Sequence, residues 1–111
     1  MDKVAHYRTL IQEVLEDYAQ YRPSDGKVEV ETIRDTVRDH YQLVTVGWND
    51  NERIHGTLFH IDIRNGKIWI QYDGTEEGIA NRFVEQGVPK TDIVLAFHAP
   101  FRRQYTGFAV E

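Results

Sequence analysis

The chain has 111 residues and carries 13 Lys and Arg against 18 Asp and Glu, a formal net charge of −5 with His neutral. That length fits one domain, residues 1–111, and 41% hydrophobic with 12% aromatic residues is enough for a core, so the composition is globular rather than disordered. The lack of cysteine excludes a disulfide scaffold, a thiolate metal site and thiol catalysis, and the acidic balance disfavours electrostatic binding to nucleic acid by this chain alone.

Residues Val4, Tyr7, Leu10, Ile11, Val14, Leu15 and Tyr18 recur in steps of three and four, which predicts an amphipathic helix from Val4 to Tyr18. Asp2 is its N-cap, and Pro23 within Arg22-Pro23-Ser24-Asp25-Gly26 bars its continuation. The start reads directly into this helix with no signal-peptide h-region. The longest apolar run, Ile93-Val94-Leu95-Ala96-Phe97, is far short of the ~20 residues of a membrane helix, so a soluble, cytoplasmic protein is expected.

The period then changes to two. Val28 and Val30 alternate with Glu29 and Glu31 in a first strand over 27–35. In a second strand, 40–48, Val44, Val46 and Trp48 share one face and Tyr41, Leu43 and Thr45 the other. After Asn49-Asp50-Asn51, the third strand, 53–64, slips in apolar parity between Leu58 and Phe59, and a β-bulge there repairs the pattern. Asn65-Gly66 predicts a two-residue type I′ hairpin that sets Ile63 opposite Ile68, Asp62 opposite Trp69 and Ile61 opposite Ile70.

Beyond Tyr72-Asp73-Gly74, Thr75 caps a second helix with Glu76 and Glu77 in its first turn, Ile79, Phe83 and Val84 as its stripe and Gly87 as its end. A buried strand follows over 92–97, then an aromatic and basic tail. The order predicts an α+β fold: a mainly antiparallel sheet of about five strands with an N-terminal helix and a second helix packed on one face.

No reaction chemistry converges. Ser24, the only serine, sits in a turn without the setting of an activated nucleophile. Gly74 and Gly78 are too few for a phosphate cradle. His55, His60 and Asp62 share an outward strand face, but His55 and His60 lie too far apart along it to ligate one ion unaided. Asp35, Arg38 and Asp39 read as a solvated charged corner, and His98 as a hydrogen-bonded or contact residue. No cofactor is implied.

The outer sheet face is the stronger candidate. Tyr41, Leu43 and Trp69 are expected there beside His60, Asp62 and Gln71, either in a subunit or partner contact or under the C-terminal Phe101, Tyr105 and Phe108. Arg102 and Arg103, between aromatics, join the contact candidates.

Several ordered blocks carry a family resemblance across essentially the whole chain. They are Tyr21-Arg22-Pro23-Ser24, Val28-Glu29-Val30-Glu31, Arg38-Asp39-His40-Tyr41-Gln42-Leu43, Val46-Gly47-Trp48, His60-Ile61-Asp62-Ile63 and Gly66-Lys67-Ile68-Trp69-Ile70-Gln71. Asp73-Gly74-Thr75-Glu76, Gly87-Val88-Pro89-Lys90, Asp92-Ile93-Val94-Leu95 and Arg103-Gln104-Tyr105-Thr106 follow in order. Together they resemble the XisI family, the fdxN-element excision controlling factors of filamentous cyanobacteria.

The resemblance implies a non-enzymatic regulatory protein for programmed DNA excision in heterocyst differentiation. Such proteins work with a site-specific recombinase and a companion, XisH, which resembles restriction-type nucleases. The implied partner is thus an XisH-like protein, with DNA approached indirectly through a recombination complex and with self-association as a further possibility. The family has no established catalytic residues to carry over. Direct DNA binding is the competing reading.

Overall fold

The computed structural model describes residues 2–20 and 27–111; the predicted turn at Arg22–Gly26, with Pro23 and Ser24, lies outside the described residues. The first helix, α1 (Lys3–Ala19), starts where the Asp2 carboxylate accepts a hydrogen bond from the Val4 amide at 3.0 Å, and it buries Tyr7, Leu10, Ile11, Val14 and Leu15. One apolar stripe of a helix thus faces one sheet.

That sheet has five strands in sequence order: β1 (Val28–Asp35), β2 (His40–Asn49), β3 (Glu52–Arg64), β4 (Lys67–Asp73) and β5 (Ile93–Leu95). The first four form an antiparallel meander. The last runs parallel to β4, so the chain must cross over between them, and it does so through α2 (Ile79–Glu85). The fold is α+β, as expected.

Two details set the faces. Asn65 (φ 52°) and Gly66 (φ 74°) both take positive φ, and Ile63 faces Ile68, Asp62 faces Trp69 and Ile61 faces Ile70 as the turn chemistry requires. In β3, Leu58 is the extra residue: Leu43 faces Phe59 while Val44 faces Thr57. Its carbonyl is not orphaned, since the Gly74 amide donates to it at 2.7 Å. A second irregularity, at Gln71 of β4, has no sequence signal that announces it.

The pairing corrects one expectation. Tyr41 lies directly opposite Ile61 and Leu43 opposite Phe59, and residues opposite one another point to the same face. Tyr41 and Leu43 are therefore fully buried on the helix side, in one core cluster with Leu15, Ile70 and Phe83. They are core, not outer-face residues. The open face of β2 carries Val44, Val46 and the half-exposed Trp48 instead.

Further departures have local causes. The second helix begins at Ile79, not at Thr75, because the Asp73 carboxylate holds the Thr75 amide and hydroxyl with one oxygen and the Ile79 amide with the other at 2.8 Å. Glu76 and Glu77 consequently precede the helix, which still ends at Gly87 with φ 96°. The last strand spans three residues because a 3₁₀ turn occupies Lys90–Asp92 and the Arg103 guanidinium takes the carbonyls of Ala96 and His98 beyond it. That arginine closes a third helix, α3 (Pro100–Arg103), within the segment expected as an aromatic and basic tail.

Candidate functional site

Across the open face, the ladder aligns Asp35, His40, Asp62, Trp69 and Val94 in one row and Ile33, Gln42, His60 and Tyr72 in the next. At the centre sits Asp62, only 2% exposed although it points away from the helices. A carboxylate so covered must be hydrogen-bonded to remain there.

Its partners come from three strands. One oxygen accepts from His40 Nδ1 at 2.9 Å and from His60 Nε2 at 3.0 Å; the other accepts from Gln71 Nε2 at 3.2 Å, with the Arg64 guanidinium at 3.6 Å. These contacts fix an N–H on Nδ1 of His40 and on Nε2 of His60. The ring nitrogens that face inward are thus directed at a carboxylate rather than at a common cation. His55 lies further along β3, opposite Val46. Among the described residues no group of three or more His, Asp or Glu side chains is arranged to hold a metal ion.

Next to Asp62, Trp69 lies between two arginines, with Arg64 at 5.4 Å and Arg103 at 5.6 Å from its ring centroid. Guanidinium groups over an indole face are attracted by the ring quadrupole. The indole Nε1 is buried without a hydrogen-bond partner. The C-terminal segment therefore covers Trp69 with Arg103 rather than with its aromatic rings: Phe101 and Tyr105 are exposed, and Phe108 packs against the core.

Of the residues expected on the outer face, His60, Asp62, Trp69 and Gln71 come together there and Arg103 joins them. Tyr41 and Leu43 do not, for the reason given above. Arg102 points elsewhere, against Phe101 at 5.6 Å. His40 and Arg64 complete the cluster, and the β2–β3 register, carried from the Asn49–Glu52 turn across the Leu58 bulge, is the signal that places His40 beside Asp62.

The charged corner at the β1–β2 turn also differs from expectation. Asp35 and Arg38 are solvent-facing, and the Asp35 carboxylate accepts from the Val37 and Arg38 amides. Asp39, in contrast, turns inward at φ 61° and meets both nitrogens of the Arg8 fork, at 2.7 and 3.1 Å. Tyr41 donates its hydroxyl to the same carboxylate at 3.0 Å. The Arg8 hydrogen bond above all, helped by Tyr41, holds the Asp39 carboxyl below the usual carboxylate range against the opposing effect of burial. Burial, with the Asp39 bond added, pushes the Tyr41 phenol up to about 12. This network ties α1 to the sheet on the side opposite the Asp62 cluster.

Comparison with known proteins gives a consistent result. A family model described as XisI protein matches residues 1–110. An XisI-like protein from Anabaena variabilis is 44% identical, with a TM-score of 0.91 over 96% of this chain and 98% of that one. The fdxN element excision controlling factor XisI from the same organism is 38% identical, with a TM-score of 0.86 over 99% of this chain and 100% of that one. No protein of curated function matches the chain.

Proposed function

Since the chain belongs to the XisI family, we propose that it is a non-enzymatic accessory factor controlling programmed excision of a DNA element of the fdxN type in heterocyst differentiation. It acts in the cytoplasm through contact with an XisH-like protein and meets DNA indirectly, within a recombination complex. The solved relative named as an excision controlling factor supports the process. The absence of any helix long and apolar enough to cross a membrane, among the described residues, is compatible with the compartment.

The observation that carries the contact mechanism is the open sheet face. A sheet side turned to water is ordinarily polar. This one presents Ile33, Trp48 and Tyr72 at about half exposure around the Asp62 cluster and Trp69. Apolar and aromatic groups in a rigid setting are the usual anchors of a protein interface. Asp62 has both oxygens occupied by its own chain, which suits a residue that fixes its neighbours rather than one that takes a proton from a substrate.

The test is co-purification of the full chain with an XisH-like protein, followed by size-exclusion chromatography. A stoichiometric complex that forms without DNA is the expected result. Separate elution, with complex formation only on DNA, would favour the direct DNA-binding reading.

A further inference from the structure

Residues 93–110 contain no Asp or Glu, although the remaining chain holds all 18. At the average density of carboxylates in this chain, a stretch of this length would carry about three. Within it lies a groove of about 630 Å³ lined by Leu95, His98, Phe101, Arg102, Tyr105 and Thr106. Phe101 is 66% and Tyr105 80% exposed, an unusual display for rings of this size. No carboxylate among the described residues pairs with Arg102, which rests on the Phe101 ring.

The walls are preformed. Arg103 clamps the carbonyls of Ala96 and His98 at 3.1 and 3.0 Å, the Thr106 hydroxyl donates to the Arg103 carbonyl at 2.8 Å, and the Ala109 amide ties the tail to Ile93 at 2.9 Å. A surface ordered before binding loses less entropy when occupied.

Resting on the protein-contact reading above, we infer that this groove receives a short acidic segment of a partner protein, an apolar side chain seated between Phe101 and Tyr105 and flanking carboxylates on Arg102 and His98. Charge complementarity selects the occupant: the groove offers the Arg102 guanidinium, the His98 imidazole and no carboxylate within an otherwise acidic molecule. Single-stranded nucleic acid could also stack on aromatics, but it requires a basic track along the phosphates. Here one arginine faces the groove while Arg103 is spent on backbone carbonyls. The apolar–acidic peptide is the better match.

A phage-displayed random 12-residue peptide library selected on the full chain tests this, with the enriched peptides and a labelled dT20 oligonucleotide then measured by fluorescence anisotropy. We expect enrichment of sequences with two or more carboxylates beside an apolar residue. Their affinity should drop at least about tenfold in Arg102→Glu and in the Phe101→Ala/Tyr105→Ala double variant, with both variants keeping the wild-type thermal midpoint. No enrichment, enrichment of neutral or basic peptides, equal binding by both variants, or tighter binding of dT20 overturns the inference. The two readings separate with the XisH-like protein as the probe. If it binds wild type and both variants alike, the groove inference fails and the contact reading stands. If it binds none of them while acidic peptides still require Arg102, the contact reading fails and the groove stands.

Discussion

The Arg8 guanidinium grips the Asp39 carboxylate through two parallel hydrogen bonds, at 2.7 and 3.1 Å, thirty-one residues apart in sequence. This bidentate pairing joins the first two turns of α1 to the turn between β1 and β2, where the Asp39 carbonyl also accepts from the Ile63 amide at 3.1 Å. Asn tolerates the positive φ at this position, so Asp39→Asn removes the charge without backbone strain. Its expected cost is about 1–3 kcal/mol at neutral pH, the range for a lost hydrogen bond to a charged group. Urea unfolding of the two proteins measures it.

The same pair makes stability depend on acid. The native Asp39 carboxyl is depressed below its unfolded value by Arg8, so between the two values the unfolded chain holds the extra proton. Stability from this pair is fully present above about pH 4, the unfolded carboxylate value, and is lost as pH falls through the lower native one. The wild-type urea midpoint should therefore drop faster than that of Asp39→Asn between about pH 4 and 2. Parallel curves would show that Asp39 is not the titrating group.

Core position Ile61 tests the facing of β3. It is fully buried, opposite both Tyr41 and Ile70. Ile61→Ala removes apolar contact and leaves a cavity, for an expected loss of about 2–5 kcal/mol. A loss under half that lower bound in urea melts would contradict the burial.

How far this facing was legible in the sequence depends on the strand. The Asn65-Gly66 turn fixed β3 against β4 because turn type and loop length leave one register. Tyr41 and Leu43 were misplaced because β2 is apolar on both sides, so periodicity alone cannot choose its inner face. Carrying the register across the Leu58 bulge decides it, since the bulge inverts parity midway along the pair. The Asp62 cluster was largely visible: His60 and Asp62 are two apart on one strand and Gln71 shares the parity of Trp69, whereas His40 reaches the cluster only through the pairing of β2 with β3. The clamp of Arg103 on Ala96 and His98 was not legible, because it joins a side chain to two backbone carbonyls, one at the end of the expected strand and one in the tail, and no residue pattern marks such a bond.

Gly47 gives a sharper steric test. Its φ is 152°, and a Cβ there would fall 2.2 Å from the Lys27 carbonyl oxygen and 2.7 Å from the Val28 Cα. Neither backbone atom can yield without moving β1 away from β2. Gly47→Ala should cost about 1–3 kcal/mol, in the manner of overpacking, and should raise amide hydrogen exchange in β1 before the rest of the sheet. Unchanged exchange in β1 would mean the strand accommodates the methyl.

Purified protein should give no sequence-specific shift of element-end DNA near physiological salt, where specific binders reach about 10⁻⁸–10⁻¹¹ M. The reason is electrostatic: affinity follows the number of phosphates neutralised, and this chain has a net charge of −5. Nanomolar binding that vanishes in the Arg102→Ala/Arg103→Ala double variant would reverse the ranking of protein contact over direct DNA contact.

Trp69 is the decisive residue of the open face. It is half-buried between Arg64 and Arg103, beside the closed hydrogen-bond set of Asp62. The Asp62 partners are His40, His60, Gln71 and Arg64, and Arg103 stays bonded to Ala96 and His98, so none of these anchors depends on the indole. Trp69→Ala should accordingly lower the thermal midpoint by less than about 5 °C, the equivalent of roughly 1 kcal/mol in a domain near this size. If this face docks the XisH-like protein or a second copy, the same change should weaken that association by at least about 2 kcal/mol, as loss of an aromatic anchor does. Titration calorimetry with the partner, sedimentation of the chain alone and a thermal melt separate the outcomes. Unchanged association with a collapsed midpoint would make Trp69 a core residue under the C-terminal segment, and the contact surface would then have to lie elsewhere on the molecule.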